Sequence, residues 1–371
     1  MSPSLRYFVI VFSFLISTSA MAKRSAGPSN VPSPQVELVF ALDTTGSMGG
    51  LLQGAKDKIW FIANEIMRAN QQTQLKIGLV AYRDKGDAYI TQITPLSSNL
   101  DAVYERLFAL RPEGGGDHPE HVNKALLDAV TRMQWTDSPD VLKMVFLVGD
   151  APPQMNYQDD VKHHEISKIA IRQNIYINTI QCGSHGETAR IWKTIAYNSE
   201  GRFAAIPQNG GVRVHHTPYD DDLRKLGEEL DGTYLGYGAE PARAEKKASK
   251  IRMKSILRSA APAAAADRAA VQSTAGFNEA DDLVSLYAAE GSGAVDGLSE
   301  EELPAELQNK GTKAQEQVIK QMAKKRKGIQ RTIHELSEKR DAYIKEQEKN
   351  SKVTDSFDQQ VIEMLKAQKA I

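Results

Sequence analysis

Oxygen-bearing side chains recur in three separate stretches of this sequence, with types and spacing that suit a divalent metal. Asp43, Thr45 and Ser47 alternate in VFALDTTGSMGG, Glu120 lies in GGGDHPEH, and Asp150 ends KMVFLVGD. Carboxylate and hydroxyl oxygens are the ligands that hard cations such as Mg²⁺ prefer in proteins. The chemistry indicated is cation binding, and nothing in these stretches requires catalysis.

The elements around these residues predict how they are positioned. An apolar run with β-branched residues, 36–43, precedes the first stretch, and helix-forming sequence, 51–68, follows it. A second apolar run, 141–148, leads to Asp150. The acids would then lie at the carboxyl ends of parallel strands, where open α/β sheets bind ligands. The sequence DTTGS is also a good turn and helix N-cap sequence, and that alternative needs no metal.

The proposed donor set determines which metal we expect. Three carboxylates and two hydroxyls would neutralise a doubly charged ion and leave room for water or for an oxygen of a partner. Mg²⁺ suits a small cage of this kind, Mn²⁺ would fit too, and Ca²⁺ would fit a looser cage. Three carboxylates also lower the electrophilicity of the metal, so an acidic residue of a partner would bind less tightly than at a site with a threonine in the middle position.

With these stretches, residues 35–238 resemble the von Willebrand factor type A domain, whose metal-ion-dependent adhesion site carries a D-x-[ST]-x-S loop and a distal Asp. The element DHPE, residues 117–120, is similar to the D-x-P-E stretch in the I-like domains of integrin β subunits. This resemblance implies that Glu120 ligates the adhesion-site metal and bridges to a neighbouring one. His118 and His121 flank Glu120 and could contact a partner at the rim.

The resemblance also implies a second, weaker cation site. KIGLVAYRDKGD is similar to the strand of those domains that ends in an Asp of the adjacent site, and Asp84 occupies that position. The second ion would lie among Asp84, Asp117, Glu120 and the Pro119 carbonyl. A loop carboxylate beside two basic neighbours is the competing interpretation of Asp84.

Two departures from the integrin pattern bear on these additional sites. Gly115 stands where those domains have an Asn at the second site. Gly49 and Gly50 stand where a third, regulatory site has acidic residues, so we expect no third site.

Alternating strand and helix patterns predict an α/β fold, a doubly wound and mainly parallel sheet with one antiparallel edge strand, as in von Willebrand factor A and Rossmann-like folds. The predicted strands are 36–43, 75–82, 141–148, 175–181 and 202–206, with 88–94 at the edge. The predicted helices are 51–69, 99–110, 119–134, 157–173, 186–199 and 219–231.

The rest of the chain has a different composition. Residues 239–311 are Ala-rich and then Gly- and Glu-containing, which predicts a low-complexity linker with short helical pieces. Residues 312–371 predict a charged helical tail, in which one apolar column repeats every seven residues. Docking of this helix, a hairpin with residues 358–371, and coiled-coil oligomerisation are alternatives, so the oligomeric state stays open. The cluster 324–327 could contact an anionic membrane surface, although a solvated helix face is favoured.

The N-terminus and the single cysteine indicate the compartment. Residues 1–22 combine Arg6, an apolar stretch and Ala20-Met21-Ala22, which is typical of a secretory signal cleaved after Ala22. With Cys182 alone, no intramolecular disulfide can form, and this thiol is predicted to be buried. We therefore expect a secreted or periplasmic protein.

Several function classes are disfavoured. The formal net charge of −1 argues against a general nucleic-acid binder. The sequence has no HExxH, Gly-x-Ser-x-Gly or phosphate-loop motif. We expect a non-enzymatic module that binds a protein partner through its metal, with an acidic residue of the partner completing the coordination. A scaffold of an envelope complex, braced by the metal and acting through its tail, is one alternative, and a hydrolase whose metal activates water is another.

Overall fold

A six-stranded sheet is the centre of the computed structural model, which describes residues 34–70, 72–116, 118–274, 277, 281–349 and 356–371. The strand order is β3-β2-β1-β4-β5-β6, and every neighbouring pair is parallel except β2 and β3. The predicted fold class is therefore confirmed. The strands are β1 (Gln35–Asp43), β2 (Gln74–Tyr82), β3 (Thr91–Ser97), β4 (Val141–Gly149), β5 (Ile175–Cys182) and β6 (Phe203–Ile206).

Helices cover both faces of this sheet and continue beyond it. The first six are α1 (Gly49–Ala69), α2 (Leu100–Ala109), α3 (Val122–Thr131), α4 (His163–Arg172), α5 (Gly186–Asn198) and α6 (Asp220–Asp231). The C-terminal five are α7 (Glu240–Ser259), α8 (Pro262–Gln272), α9 (Leu283–Glu290), α10 (Thr312–Glu348) and α11 (Phe357–Ala367). No helix in the described part of the chain is both long enough and apolar enough to span a bilayer.

Alternating residues of β1 separate two hydrophobic cores, because successive side chains of a strand point to opposite faces. Leu38 and Phe40 face the core that contains α1, α2 and α11, and Phe40 stacks on Phe146 of β4 with ring centroids 5.2 Å apart. Val39 and Ala41 face the core that contains α3, α4 and α5. Helices therefore cover both faces of the sheet, and the carboxyl ends of the strands remain available for a site.

The strand order changes direction beside β1, and this positions the predicted ligands. β1 pairs with β2 on one side and with β4 on the other, and the register places Asp43 opposite Tyr82 and Leu42 opposite Val148. The ends of β1 and β4 are therefore level, and Asp150 follows directly after β4. This is the crevice in which doubly wound sheets bind ligands.

Two predicted helices are shorter in the structure. The helix expected over 119–134 begins at Val122, because the backbone of Glu120 forms a parallel bridge with Pro153 and is not helical. The helix expected over 157–173 begins at His163, whose N–H donates to Asn123 Oδ1 at 3.0 Å. The edge strand lies at Thr91–Ser97, later than the expected 88–94.

The segment 239–311 is not a linker in the structure. It contains α7, α8 and α9, and every residue of α8 after Pro262 is buried. The alanines of α8 let it approach closely, and it packs against α1 and α6. Its Arg268 is buried and forms two 2.6 Å hydrogen bonds with the carboxylate of Asp101 in α2. The Ala-rich, low-complexity sequence of this segment therefore forms a buried helix, α8. Residues Ser33–Ile371 form one compact unit.

The tail docks on the same unit. α10 packs against α6, α8 and α9 through buried residues that include Ile319, Ile329 and Ile333. Arg340 of α10 donates to Asp220 of α6 and Asp267 of α8, each at 2.7 Å. Of the three alternatives for the tail, helix docking is the one present within this chain.

Candidate metal centre

The two carboxylate oxygens of Asp43, at the end of β1, have different surroundings. Asp43 is fully buried, and its Oδ1 accepts hydrogen bonds from Thr45 N at 2.9 Å and from Thr45 Oγ1 at 2.7 Å. Thr45 Oγ1 lies 3.4 Å from Ser47 Oγ. Asp43 Oδ2 is buried without a hydrogen-bond partner among the described residues. The turn interpretation of DTTGS is therefore correct for one oxygen and leaves the other unexplained.

A second loop holds Glu120 beside the segment that follows Asp150. The N–H of Glu120 donates to Pro152 O at 3.1 Å, and Glu120 O accepts from Gln154 N at 2.8 Å. Glu120 is buried, and its Oε2 has no hydrogen-bond partner in the part of the chain that the structure describes. A buried carboxylate oxygen without a partner is unfavourable, so it needs a proton or a cation.

Asp150 is oriented by two residues that the sequence analysis did not select. Gln208, in the loop after β6, donates from Nε2 to Asp150 Oδ2 at 2.7 Å. Thr188 of α5 donates from Oγ1 to the Asp150 carbonyl at 3.2 Å. Gln208 and Asp150 belong to no common sequence motif. They come into contact because β5 and β6 are neighbours in the sheet.

Asp43 and Asp150, at the ends of two strands, and Glu120, in a loop, lie in one region of low dielectric constant. Burial raises the pKa of Asp43 to about 7, against the hydrogen bonds from Thr45, and the charges of Asp150 and Asp87 raise it further. Burial raises the pKa of Glu120 to about 9, and the nearby charges of Asp43, Asp84, Asp87 and Asp150 add to this. A cluster of acids in which burial and neighbouring negative charges raise the pKa favours the uptake of positive charge.

Asp84, which was expected at the second site, lies near Glu120, and its charge contributes to the raised pKa of Glu120. Asp84 is buried, its Oδ2 accepts from Tyr157 at 2.7 Å, and its Oδ1 has no hydrogen-bond partner within the described ranges. Asp87 was not predicted; its carboxylate accepts from Gly115 N at 3.2 Å and from Asp84 N at 3.2 Å. Asp87 is the second acid of RDKGD, and its position in the sequence does not by itself indicate these contacts. Asp117 lies outside the described residues.

Two glycines leave room for this cluster. Gly115 has φ +84°, and a Cβ there would lie 3.1 Å from Thr45 Cβ and 3.4 Å from Glu120 Oε1. A Cβ at Gly149 would lie 2.9 Å from Asp43 Cβ. The departure at position 115 from the integrin Asn therefore has a physical reason, since a side chain there would occupy the space between two proposed ligands.

The histidines near Glu120 differ in environment. His118 Nε2 lies 3.1 Å from His185 Nδ1, and His185 caps α5 by accepting from Thr188 N. His121 is buried beside the Tyr157 ring, and burial lowers its pKa against the charge of Asp160. His118 is therefore at the rim of the proposed metal site, whereas His121 is buried beneath that rim.

The chemistry of the donor set fits a hard divalent cation, but the side chains do not form a finished cage. In the described part of the chain, no group of three or more His, Cys, Asp or Glu residues is arranged to hold a metal ion. Two of the five proposed donors are hydroxyls, and one oxygen of Asp150 is engaged by Gln208. The unpartnered oxygens of Asp43 and Glu120 provide the argument for a cation, and the residues that would hold it are Asp43, Thr45, Ser47, Glu120 and Asp150.

Comparison with known proteins agrees with this architecture. Residues 37–217 match the family model described as the von Willebrand factor A domain. This part of the chain is similar to the von Willebrand factor A domain. The matched residues include the loop after β1, all the proposed metal ligands and all six strands, apart from the first two residues of β1.

Two individual proteins are similar to parts of this chain. An ariadne-like RING finger protein of Acanthamoeba polyphaga mimivirus is 32% identical over 121 residues, which is 32% of this chain and 11% of that protein. The chain therefore spans about a tenth of the length of that relative. The crystal structure of the SpRpn10 VWA domain matches with a TM-score of 0.36 at 13% identity, covering 47% of this chain and 88% of that one.

Proposed function

We propose that the von Willebrand factor A-like domain is a metal-dependent protein-binding module of a secreted or periplasmic protein. The metal is Mg²⁺ by preference, and an acidic residue of the protein partner completes its coordination. Domains of this family generally mediate protein interactions, which supports the coarser part of the proposal.

One observation carries the proposal. Two carboxylate oxygens, Asp43 Oδ2 and Glu120 Oε2, are buried without a hydrogen-bond partner among the described residues, and burial and neighbouring carboxylates raise the pKa of both groups. Burying two such groups is costly unless a positive charge compensates them. A cluster of this kind is expected at a ligand site and has no evident role in holding the sheet together.

The chain's own residues have distinct tasks in this proposal. Thr45 holds Asp43 through Oδ1, which leaves Oδ2 as the donor, and the hydroxyls of Thr45 and Ser47 lie next to it. Gln208 fixes the carboxylate of Asp150 by one oxygen and leaves the other available. A bound divalent cation would supply the positive charge that attracts a carboxylate of the partner.

The test is capture of the partner with and without a chelator. The purified chain is immobilised and exposed to an envelope extract in Mg²⁺, in EDTA, and in Mg²⁺ with an acidic peptide as competitor. Asp43→Ala and Asp150→Ala remove proposed ligands, and Asp221→Ala removes an exposed acid of α6 as a matched control. We expect a partner to be retained in Mg²⁺ by the wild type and the control only, and to be displaced by the peptide. Retention that is insensitive to EDTA and to both ligand variants would contradict the proposal.

A further inference from the structure

The long helix α10 has two faces of opposite character. Its inner face packs on the domain, and the two arginines on this face are paired: Arg326 binds Asp282, and Arg340 binds Asp220 and Asp267. Its outer face carries exposed cations. The basic residues are concentrated towards the N-terminal end of the helix, where residues 312–334 contain seven Lys or Arg and one acidic residue, Glu316.

Five of these cations form one straight row. Successive helical residues turn by about 100°, so the positions 313, 320, 324, 327 and 331 lie within an arc of roughly 60°. The buried positions 319, 329 and 333 lie on the opposite side of the helix. At a rise of about 1.5 Å per residue, the row is roughly 27 Å long. We call it the basic row; its members are Lys313, Lys320, Lys324, Lys327 and Arg331.

The basic row has no anionic partner in the described part of the chain. All five side chains are exposed, and none of them forms an ion pair or a hydrogen bond with a described residue. The remaining cation of the cluster 324–327 is Lys325, which is also exposed but lies about 100° around the helix from Lys324. The chain as a whole has a formal net charge of −1, so the excess of positive charge on this helix face is not a property of the whole chain.

We propose that the basic row is a binding surface for an anionic lipid bilayer. Clusters of four to eight Lys and Arg on a helix are the usual signature of attachment to acidic lipid head groups. The row is straight and carries no large apolar side chain, so binding would be peripheral and electrostatic, with α10 lying along the membrane surface. This inference is independent of the metal centre, and loss of metal binding would not affect it.

Two observations favour a lipid surface over a nucleic acid. Four of the five residues are lysines, whereas phosphate recognition in nucleic acids makes heavy use of the bidentate arginine. The chain as a whole has a sequence pI of about 6.7, whereas nucleic-acid-binding domains are basic overall. A duplex DNA therefore serves as the competing ligand in the test.

The experiment measures co-sedimentation of the full chain with vesicles. Vesicles of phosphatidylcholine mixed with phosphatidylglycerol are compared with phosphatidylcholine alone, at low and at physiological salt, and a DNA duplex is tested separately. The variant Lys320→Gln, Lys324→Gln, Lys327→Gln keeps helix-forming residues. The control variant Lys168→Gln, Lys193→Gln, Lys225→Gln removes three exposed lysines on α4, α5 and α6. Circular dichroism confirms that both variants are folded.

We expect binding to the acidic vesicles that weakens with salt and is absent from neutral vesicles. Each lysine near an anionic surface contributes roughly fivefold in affinity, so the α10 variant should lose about a hundredfold and the control variant should lose much less. Equal binding by the two variants, no binding to acidic vesicles, or binding to the DNA duplex in preference to the vesicles would overturn the proposal.

Discussion

Gln208 Nε2 donates a 2.7 Å hydrogen bond to Asp150 Oδ2 and connects the loop after β6 to the end of β4. Hydrogen bonds to a ligand carboxylate fix its orientation, and losing one typically costs 10- to 100-fold in metal affinity. We predict that Gln208→Ala weakens Mg²⁺ binding by about tenfold. Isothermal titration measures the affinity, and Gln317→Ala, an exposed glutamine of α10, is the control. Unchanged or tighter binding in Gln208→Ala would show that this bond does not orient a ligand.

Gly115→Ala should disturb both stability and metal binding. The backbone has φ +84°, and the added Cβ would lie 3.1 Å from Thr45 Cβ. A strained backbone of this kind costs about 1–3 kcal/mol. Gly116→Ala is a matched control, because a Cβ there meets no atom within 4 Å and its φ is not in the left-handed region. Urea unfolding of both variants checks the prediction, and equal midpoints would refute it.

The ion pairs of α10 should matter for stability because they are buried. Arg340→Ala leaves the carboxylates of Asp220 and Asp267 buried and without this partner. Removing one member of a buried ion pair costs about 3–5 kcal/mol. Lys339→Ala, at the exposed neighbouring position, should cost less than about 0.5 kcal/mol. A loss of similar size in the two variants, measured as free energy of unfolding in urea, would mean that α10 is not held by this pair.

The pair of Arg326 and Asp282 predicts a dependence on acid pH. Burial would raise the pKa of Asp282, but hydrogen bonding and the charge of Arg326 outweigh it, so the folded pKa is below the ordinary 3.8. A lowered carboxyl pKa contributes stability that is complete above the unfolded value and is lost as the pH falls through the folded value. Arg326→Gln should therefore destabilise the chain near neutral pH, and the difference from wild type should shrink below a pH of about 3.8. A difference in urea midpoint that stays constant with pH would contradict this assignment.

The sheet and the primary ligands could be predicted because both depend on local sequence. Apolar runs that end in Asp43 and Asp150 identify parallel strands and place their last residues at one edge. The contacts of Gln208 and Asp87 could not be predicted in the same way. They join loops that are far apart in the chain, and a single Gln or Asp in a loop gives no periodic signal.

The C-terminal half was predicted less well, for a reason visible in α8. Its sequence PAAAADRAAVQ has the composition of a linker, yet alanine also allows two helices to approach closely, and α8 is buried between α1 and α6. The residue types of Asp267 and Arg268 are also typical of solvated surface positions, but in the structure both side chains are buried in ion pairs. Sequence alone does not distinguish a paired, buried charge from a solvated one, so the packing of this region had to come from the structure.

The most direct test of the metal centre is the thermal stability of the wild type and of Asp43→Asn as Mg²⁺ is added. Asn at position 43 keeps an oxygen that can accept the hydrogen bonds of Thr45 and removes the charge of a buried acid whose pKa is raised to about 7. A ligand at about 100 times its Kd stabilises the folded state by about 2.7 kcal/mol. The account predicts that Mg²⁺ raises the wild-type melting temperature, that it has no effect on Asp43→Asn, and that the metal-free variant is the more stable of the two at alkaline pH. An equal response of both proteins to Mg²⁺, or a wild type that responds to none of Mg²⁺, Mn²⁺ and Ca²⁺, would contradict it.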